Sequence, residues 1–176
     1  MTRETTNPTD ESETDELTQW DPATDADGYT WDDIRPKDWY LGTVLDFAHG
    51  FNDETSGGIV GLTVTSNGAL VSGLAISRAE WITVMVELYK QAGASETAGY
   101  VKKLFTQAHD EVLDRAKARD EADLPSHARG FLHMKDVRIG VGNVTTQVEQ
   151  WRGSLADITG WSLGSWNPKQ NEDGDE

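Results

Sequence analysis

Two apolar runs, 59–66 and 69–76, meet across the dipeptide Asn67-Gly68. A two-residue loop of the I′ type needs positive φ at both central positions, and Asn-Gly is the pair that tolerates it best. Such a turn fixes the register. Val64 falls opposite Val71 and Val60 opposite Ala75 on one face, with Thr65 opposite Leu70 and Ile59 opposite Ile76 on the other. Both faces are largely apolar, which predicts a hairpin inside a sheet covered on both sides. Gly61 and Gly73 leave room for a close neighbour.

The sequence around the hairpin reads as helix before it and mixed structure after it. Pro36 opens a helix that Gly50 closes, with Trp39, Leu41, Val44, Leu45, Phe47 and Ala48 sharing much of one face. Ser77-Arg-Ala-Glu80 fits a capping box, in which Ser77 caps the helix and Glu80 reaches back. The helix it starts carries Trp81, Val84, Met85 and Leu88 at helical spacing and ends at Gly93. A longer helix is predicted from Ser95 to about Asp123, with Val101, Leu104, Phe105, Ala108, Val112 and Ala116 inward and an ion-pair-rich far end; Leu124-Pro125 stops it. Strand patterns follow at 131–139 and 147–155, then a turn at 157–160 and a short strand at 161–164. The expected fold is α+β: an antiparallel sheet, made of a hairpin plus a three-strand meander, packed with two or three helices over residues 36–166.

The net charge of -16 is concentrated at the ends. Residues 1–33 hold eleven acids against Arg3, and the last ten hold four acids against Lys169, which leaves the middle near neutral. Segments 1–35 and 167–176 are therefore expected to be acidic, disordered tails, because they carry too little apolar surface to offset ordering entropy. Trp20, Tyr29 and Trp31 stand among the acids of the first tail. They read either as the part of the tail that drapes on the domain, or as adhesive aromatics that contact a partner or other copies of the chain. A near-neutral body without a basic stripe excludes nucleic acid as partner. No run of 18 apolar residues occurs, so no membrane span is expected, and residues 1–15 do not read as a secretory signal. With no cysteine, disulfides and thiolate chemistry drop out, and the expected location is cytoplasmic.

Several motifs fail on inspection. Gly160-Trp-Ser-Leu-Gly164 matches G-x-S-x-G, but only twelve residues follow Ser162 and none is histidine. The run Asp25-Ala-Asp27-Gly28 has part of a calcium loop, yet the first position is Ala23 and the twelfth is Ile34. Asp46 and His49 with Asp53 and Glu54 are better explained as a helix end beside a polar loop than as a metal site. His109, His127 and His133 are isolated in sequence, and His133 reads as a sheet residue facing water. Gly140-x-Gly142 lacks the third glycine of a dinucleotide fingerprint. No nucleophile, base and orienting group assemble, so the expectation is no enzyme, no metal and no cofactor.

Two strand-rich stretches carry a resemblance. Residues 61–81, a strand, an Asn-Gly turn, Val71-Ser-Gly73 in a second strand and an acidic-aromatic helix start at Glu80-Trp81, resemble the gas vesicle accessory protein U family. Leu132-His-Met-Lys-Asp-Val137, and Trp151-Arg152-Gly153 eleven residues before Ser162-Leu-Gly164, are similar to that family's later strand and its ending. Trp81 and Trp161 stand where that family more often has tyrosine and phenylalanine. The resemblance implies a non-catalytic accessory in gas vesicle assembly, organisation or clustering, either free in the cytoplasm or vesicle-associated, and without cofactor. Its partners would be the shell, an array of a small apolar protein, or other gas vesicle proteins, with self-association as a further possibility. Trp151 and Arg152 are the first candidates for contact, and Trp20 and Trp31 the second. The plainer reading puts Trp151 in the core and pairs Arg152 with an acid on a neighbouring strand. Two other classes stay open: an unrelated phage or actinobacterial scaffold, and a small-ligand-binding domain with a pocket between helix layer and sheet.

Overall fold

Asn67 and Gly68 adopt φ of 50° and 80°, and the strands they join are β1 (Val60–Ser66) and β2 (Ala69–Ala75) in the register that a two-residue turn imposes. The computed structural model describes residues 20–55 and 57–166; the disorder expected for 1–19 and 167–176 lies outside the described residues. Three further strands, β3 (Phe131–Val141), β4 (Val144–Ser154) and β5 (Ile158–Leu163), complete an antiparallel sheet of order β4-β3-β2-β1-β5. Four helices accompany it: α1 (Trp31–Ile34), α2 (Trp39–His49), α3 (Arg78–Gln91) and α4 (Ser95–Glu121). The fold is α+β on an antiparallel sheet, as the sequence predicts. None of these helices is long and apolar enough to cross a membrane.

The last strand does not extend a meander. β5 begins at Ile158, inside the expected turn, and pairs with β1 at the opposite edge from β4. In a flat sheet those edges would lie about 19 Å apart, at about 4.8 Å per strand. The chain from Ser154 to Ile158 spans at most about 14 Å. The sheet must therefore curl until opposite corners approach. Leu155, on the crossing, is buried with Leu41 and Leu45 of α2 and with Leu62, Val64, Val71, Met134 and Val137. Gly73 permits the sharpest local bend: a Cβ there would meet the Lys135 carbonyl at 2.9 Å. Opposite it, Asp136 takes φ of 52° in a β-bulge. The extra residue shifts the parity of β3, so Leu132 and Met134 before it and Val137 and Ile139 after it all reach the same core.

Helix burial differs from the periodic reading. In α2 only Leu41, Gly42, Leu45 and His49 are buried, while Trp39 and Phe47 stand in water. A helix that is apolar nearly all round meets one sheet face and leaves the rest exposed. Asp38 caps α2 through the Leu41 N–H and accepts from the Trp161 indole at 2.9 Å, which ties the helix to β5. In α3 the buried residues are Ile82 and Val86, which join Ala98 of α4 in a second, smaller cluster. Ser77 caps α3 as expected, but Glu80 binds Lys135 rather than closing the box. In α4 only Ala98, His109 and Arg119 are buried, and Leu104, Phe105 and Val112 are exposed.

The first segment, expected as a tail up to residue 35, is described from residue 20. Residues 20–35 are built against α4 by Arg119, which is 3% exposed. Its guanidinium donates to Asp25 at 2.7 and 3.1 Å and to Asp27 at 2.7 Å, and its Nε donates to the Pro125 carbonyl at 2.8 Å. Tyr29 stacks over it, 4.1 Å from ring centroid to guanidinium carbon. The residues that resemble part of a calcium loop thus hold a guanidinium. Thr30 and Asp33 close a capping box on α1, and the Asp33 carbonyl accepts from the Ala128 N–H at 2.8 Å.

Two outcomes are expected. Gly68→Val forces a β-branched residue into positive φ and should destabilise the protein by about 1–3 kcal/mol in urea unfolding; an unchanged midpoint would contradict the turn. Arg119→Met should speed amide exchange across 20–35 by at least ~10-fold while β1 and β2 stay protected. Unchanged exchange at Tyr29 and Trp31 would show that the clamp does not hold the segment.

Candidate functional site

The Trp151-Arg152-Gly153 run sends its two large side chains to opposite faces of β4. Trp151 lies against the main core, and its ring occupies the space that a Cβ at Gly153 would take. This explains the spacing: tryptophan turns inward, and glycine two residues on, on the same face, makes room for the ring. Arg152 points the other way. It stacks 3.4 Å above the centre of the Phe131 ring, and its Nε donates to His133 Nε2 at 3.3 Å. The expected acid partner is absent among the described residues. Trp20 and Trp31 pack edge to face at 4.9 Å, the Trp20 indole donates to Asp25, and Arg35 lies over Trp31. The four candidate residues do not form one site.

The sequence reading missed a more prominent surface. Trp39, Tyr40, Phe47 and Phe51 are 62, 71, 94 and 70% exposed on α2 and the turn after it. Trp39, Thr43, Phe47 and Phe51 recur every four residues, so they form a line along the helix on the side away from Leu41 and Leu45. They border a cleft of about 720 Å³ that Ile34, Pro36 and Leu155 also line. Together these side chains form an exposed aromatic patch on one helix. The signal was present in the sequence, since seven of eleven residues in α2 are apolar and a helix against one sheet buries fewer.

Asp46 and Asp53, weighed as metal ligands with His49, both bind Arg129: Asp46 at 2.9 Å, and Asp53 in a short pair. Asp53 is buried in a turn where it and Asn52 take positive φ, and Arg78 approaches its other oxygen at 3.7 Å. Among the described residues, no three His, Cys, Asp or Glu side chains group as metal ligands would.

A family model, gas vesicle protein GvpU-like, matches residues 38–166. The chain belongs to the GvpU-like gas vesicle protein family. No curated protein and no solved structure matches it. The family match starts at Asp38, the cap of α2, and ends at Trp166, whose N–H donates to Ser72 on the face of the sheet opposite α2. It takes in the aromatic face of α2 and the Trp151-Arg152-Gly153 strand. The segment 20–37, which Arg119 holds, lies outside it.

Three histidines of the GvpU-like domain are buried. His133 faces the Trp81 ring at 5.2 Å rather than water. Burial lowers its pKa to about 3 against the opposing pull of Asp53, and burial also lowers His49 and His109. All three fold as neutral rings. Below pH 6.5 the unfolded chain binds protons that the folded chain refuses, so stability is full above pH 6.5 and falls as pH drops towards 3. Each such histidine contributes up to about 1.4 kcal/mol per pH unit of that slope. Between pH 7 and pH 5, above the range where the carboxylates titrate, urea unfolding should show this loss, and His133→Gln should show a shallower one. An identical slope in the variant would remove His133 from the account.

Proposed function

We propose that this chain is a non-catalytic, cytoplasmic gas vesicle accessory that docks on gas vesicle proteins through the aromatic face of α2 and so helps to organise or cluster vesicles. Membership of a gas vesicle protein family supports the setting. The observation that carries the surface is Phe47, 94% exposed, in line with exposed Trp39 and Phe51. A ring as exposed as Phe47 stabilises the isolated fold little, whereas its burial against an apolar partner is worth about 1.5–3 kcal/mol. An apolar shell array is a partner of that chemistry.

The acidic charge tunes the contact. Residues 1–33 carry a balance of -10, and Trp39 and Phe47 follow closely in the chain. Like-charged copies or partners repel until salt reduces the reach of the field to about 8 Å at 0.15 M. Trp151 serves the core in this reading. Arg152 belongs to the face opposite α2, and Trp20 and Trp31 support the anchored first segment.

Co-flotation with purified vesicles tests the proposal. The wild-type chain should float with them, and more of it as salt rises or when the acids of 4–16 are replaced by their amides, with the Arg119 partners Asp25 and Asp27 left intact. Phe47→Ser with Phe51→Ser should lower co-flotation by at least ~10-fold with little change in Tm, since neither ring packs on the core. Full co-flotation of that variant would exclude this surface. No association of the wild-type chain at any salt would exclude the accessory role.

A further inference from the structure

Helix α4 is packed at its start and clamped at its end, and between them His109 is buried while the apolar stripe beside it is not. Its start packs on α3 through Ala98 and Val101, and its end is clamped by Arg119. In the stretch between, Phe105, Ala108 and Val112 form the apolar stripe that periodicity would bury, but they line a cavity of about 620 Å³ between α4 and the sheet. That volume falls in the usual range for small-molecule sites, about 300–1,000 Å³. Trp81 of α3 and the stacked pair Arg152 and Phe131 form the facing wall.

The charge of this cavity is opposite to that of the chain. Five arginines line it against one acid, Asp53. Arg119 and Arg129 have close carboxylate partners, and Arg129 takes Asp53 for itself. Arg78 therefore reaches only the far oxygen of Asp53, at 3.7 Å. Among the described residues, Arg115 and Arg152 have no carboxylate within 4.0 Å. Burial also disfavours the charged forms of Arg78 and Arg152, and each of them feels another arginine. Three buried polar atoms of the lining residues lack partners among the described residues: the Trp81 indole N–H, Nδ1 of His109 and Nε of Arg129.

We infer that the cavity under α4 binds an amphipathic organic anion, with an oxyanion head held by Arg78 and Arg152 and an apolar body against Phe105, Val112 and Trp81. Planar guanidinium groups match either a carboxylate or a phosphate. The apolar wall excludes small inorganic anions as the preferred ligand. This function is separate from the α2 surface and its readout needs no vesicle, so either reading can fail alone.

The test titrates the full chain with octanoate, octyl phosphate and octanol, followed by calorimetry and by the NMR shift of the Trp81 indole N–H. At least one of the two anions should bind with Kd below ~1 mM, octanol should bind at least ~10-fold more weakly, and the indole resonance should move. Which anion binds more tightly identifies the head group. Arg152→Gln should weaken anion binding by ~10-fold and leave octanol unchanged. Val112→Glu, at a position 40% exposed, should abolish binding with Tm preserved. The assignment is overturned if neither anion binds, if octanol binds as well as both anions, or if Val112→Glu binds like wild type. Binding of an acidic peptide where both octyl anions fail would likewise overturn it.

Discussion

A single guanidinium, that of Arg119, is surrounded by two aspartates, a main-chain carbonyl and a tyrosine ring, and is almost fully removed from water. A buried charge survives only where its hydrogen-bonding capacity is used, and here both ends of the guanidinium are occupied. Asp25 answers in kind. It accepts from Arg119, the Trp20 indole and the N–H groups of Asp27 and Tyr29, and the Arg119 hydrogen bonds above all hold its carboxyl well below the usual range. The contact fixes the far end of a 27-residue helix that has few buried residues of its own. It also orders the first described segment, and Tyr29 from that segment reaches the wall of the cavity. Without it, α4 would be a helix attached at one end and the cavity would lose its shape.

The interior is divided in the same way. One apolar cluster fills the curled sheet beneath α2, and a second joins α3 to the start of α4. Between them lies a polar layer of Asp53, Arg78, Arg129, Arg152 and His133. Each cluster alone is small, and the ion pairs of that layer connect them at the cost of desolvation. Such a seam is where a protein can keep a cavity, because neither cluster closes over it. The two outward features of the fold follow from this layout. α2 has one sheet face to cover and leaves its aromatics in water, and the middle of α4 stands off the sheet and leaves its stripe over the cavity.

The acidic composition is partly structural. Asp25, Asp27 and Asp33 belong to the charge-rich first segment, yet Asp25 and Asp27 bind Arg119 and Asp33 lies 3.7 Å from His127. The same residues that lower the pI hold the segment to the domain, so charge and docking are not separable by composition.

The sequence by itself determined what local chemistry fixes. Asn67-Gly68 set the hairpin and its register, because a two-residue turn between strands needs positive φ at both positions and this pair tolerates it. Ser77 set the start of α3, and the tryptophan-arginine-glycine run carried the family resemblance through a steric rule between neighbours on one strand face. Tertiary structure decided whatever depends on residues far apart in the chain. The partner of β5 is one case, since strand pairing follows from sheet curvature and not from the strand's own pattern. Periodicity named the apolar faces of α2 and α4 but not the number of neighbours available to cover them. Asp25 and Asp27 read as solubilising acids until a guanidinium 94 and 92 residues away arrived to neutralise them. An ion pair has no sequence spacing, so only the folded chain shows which charges meet.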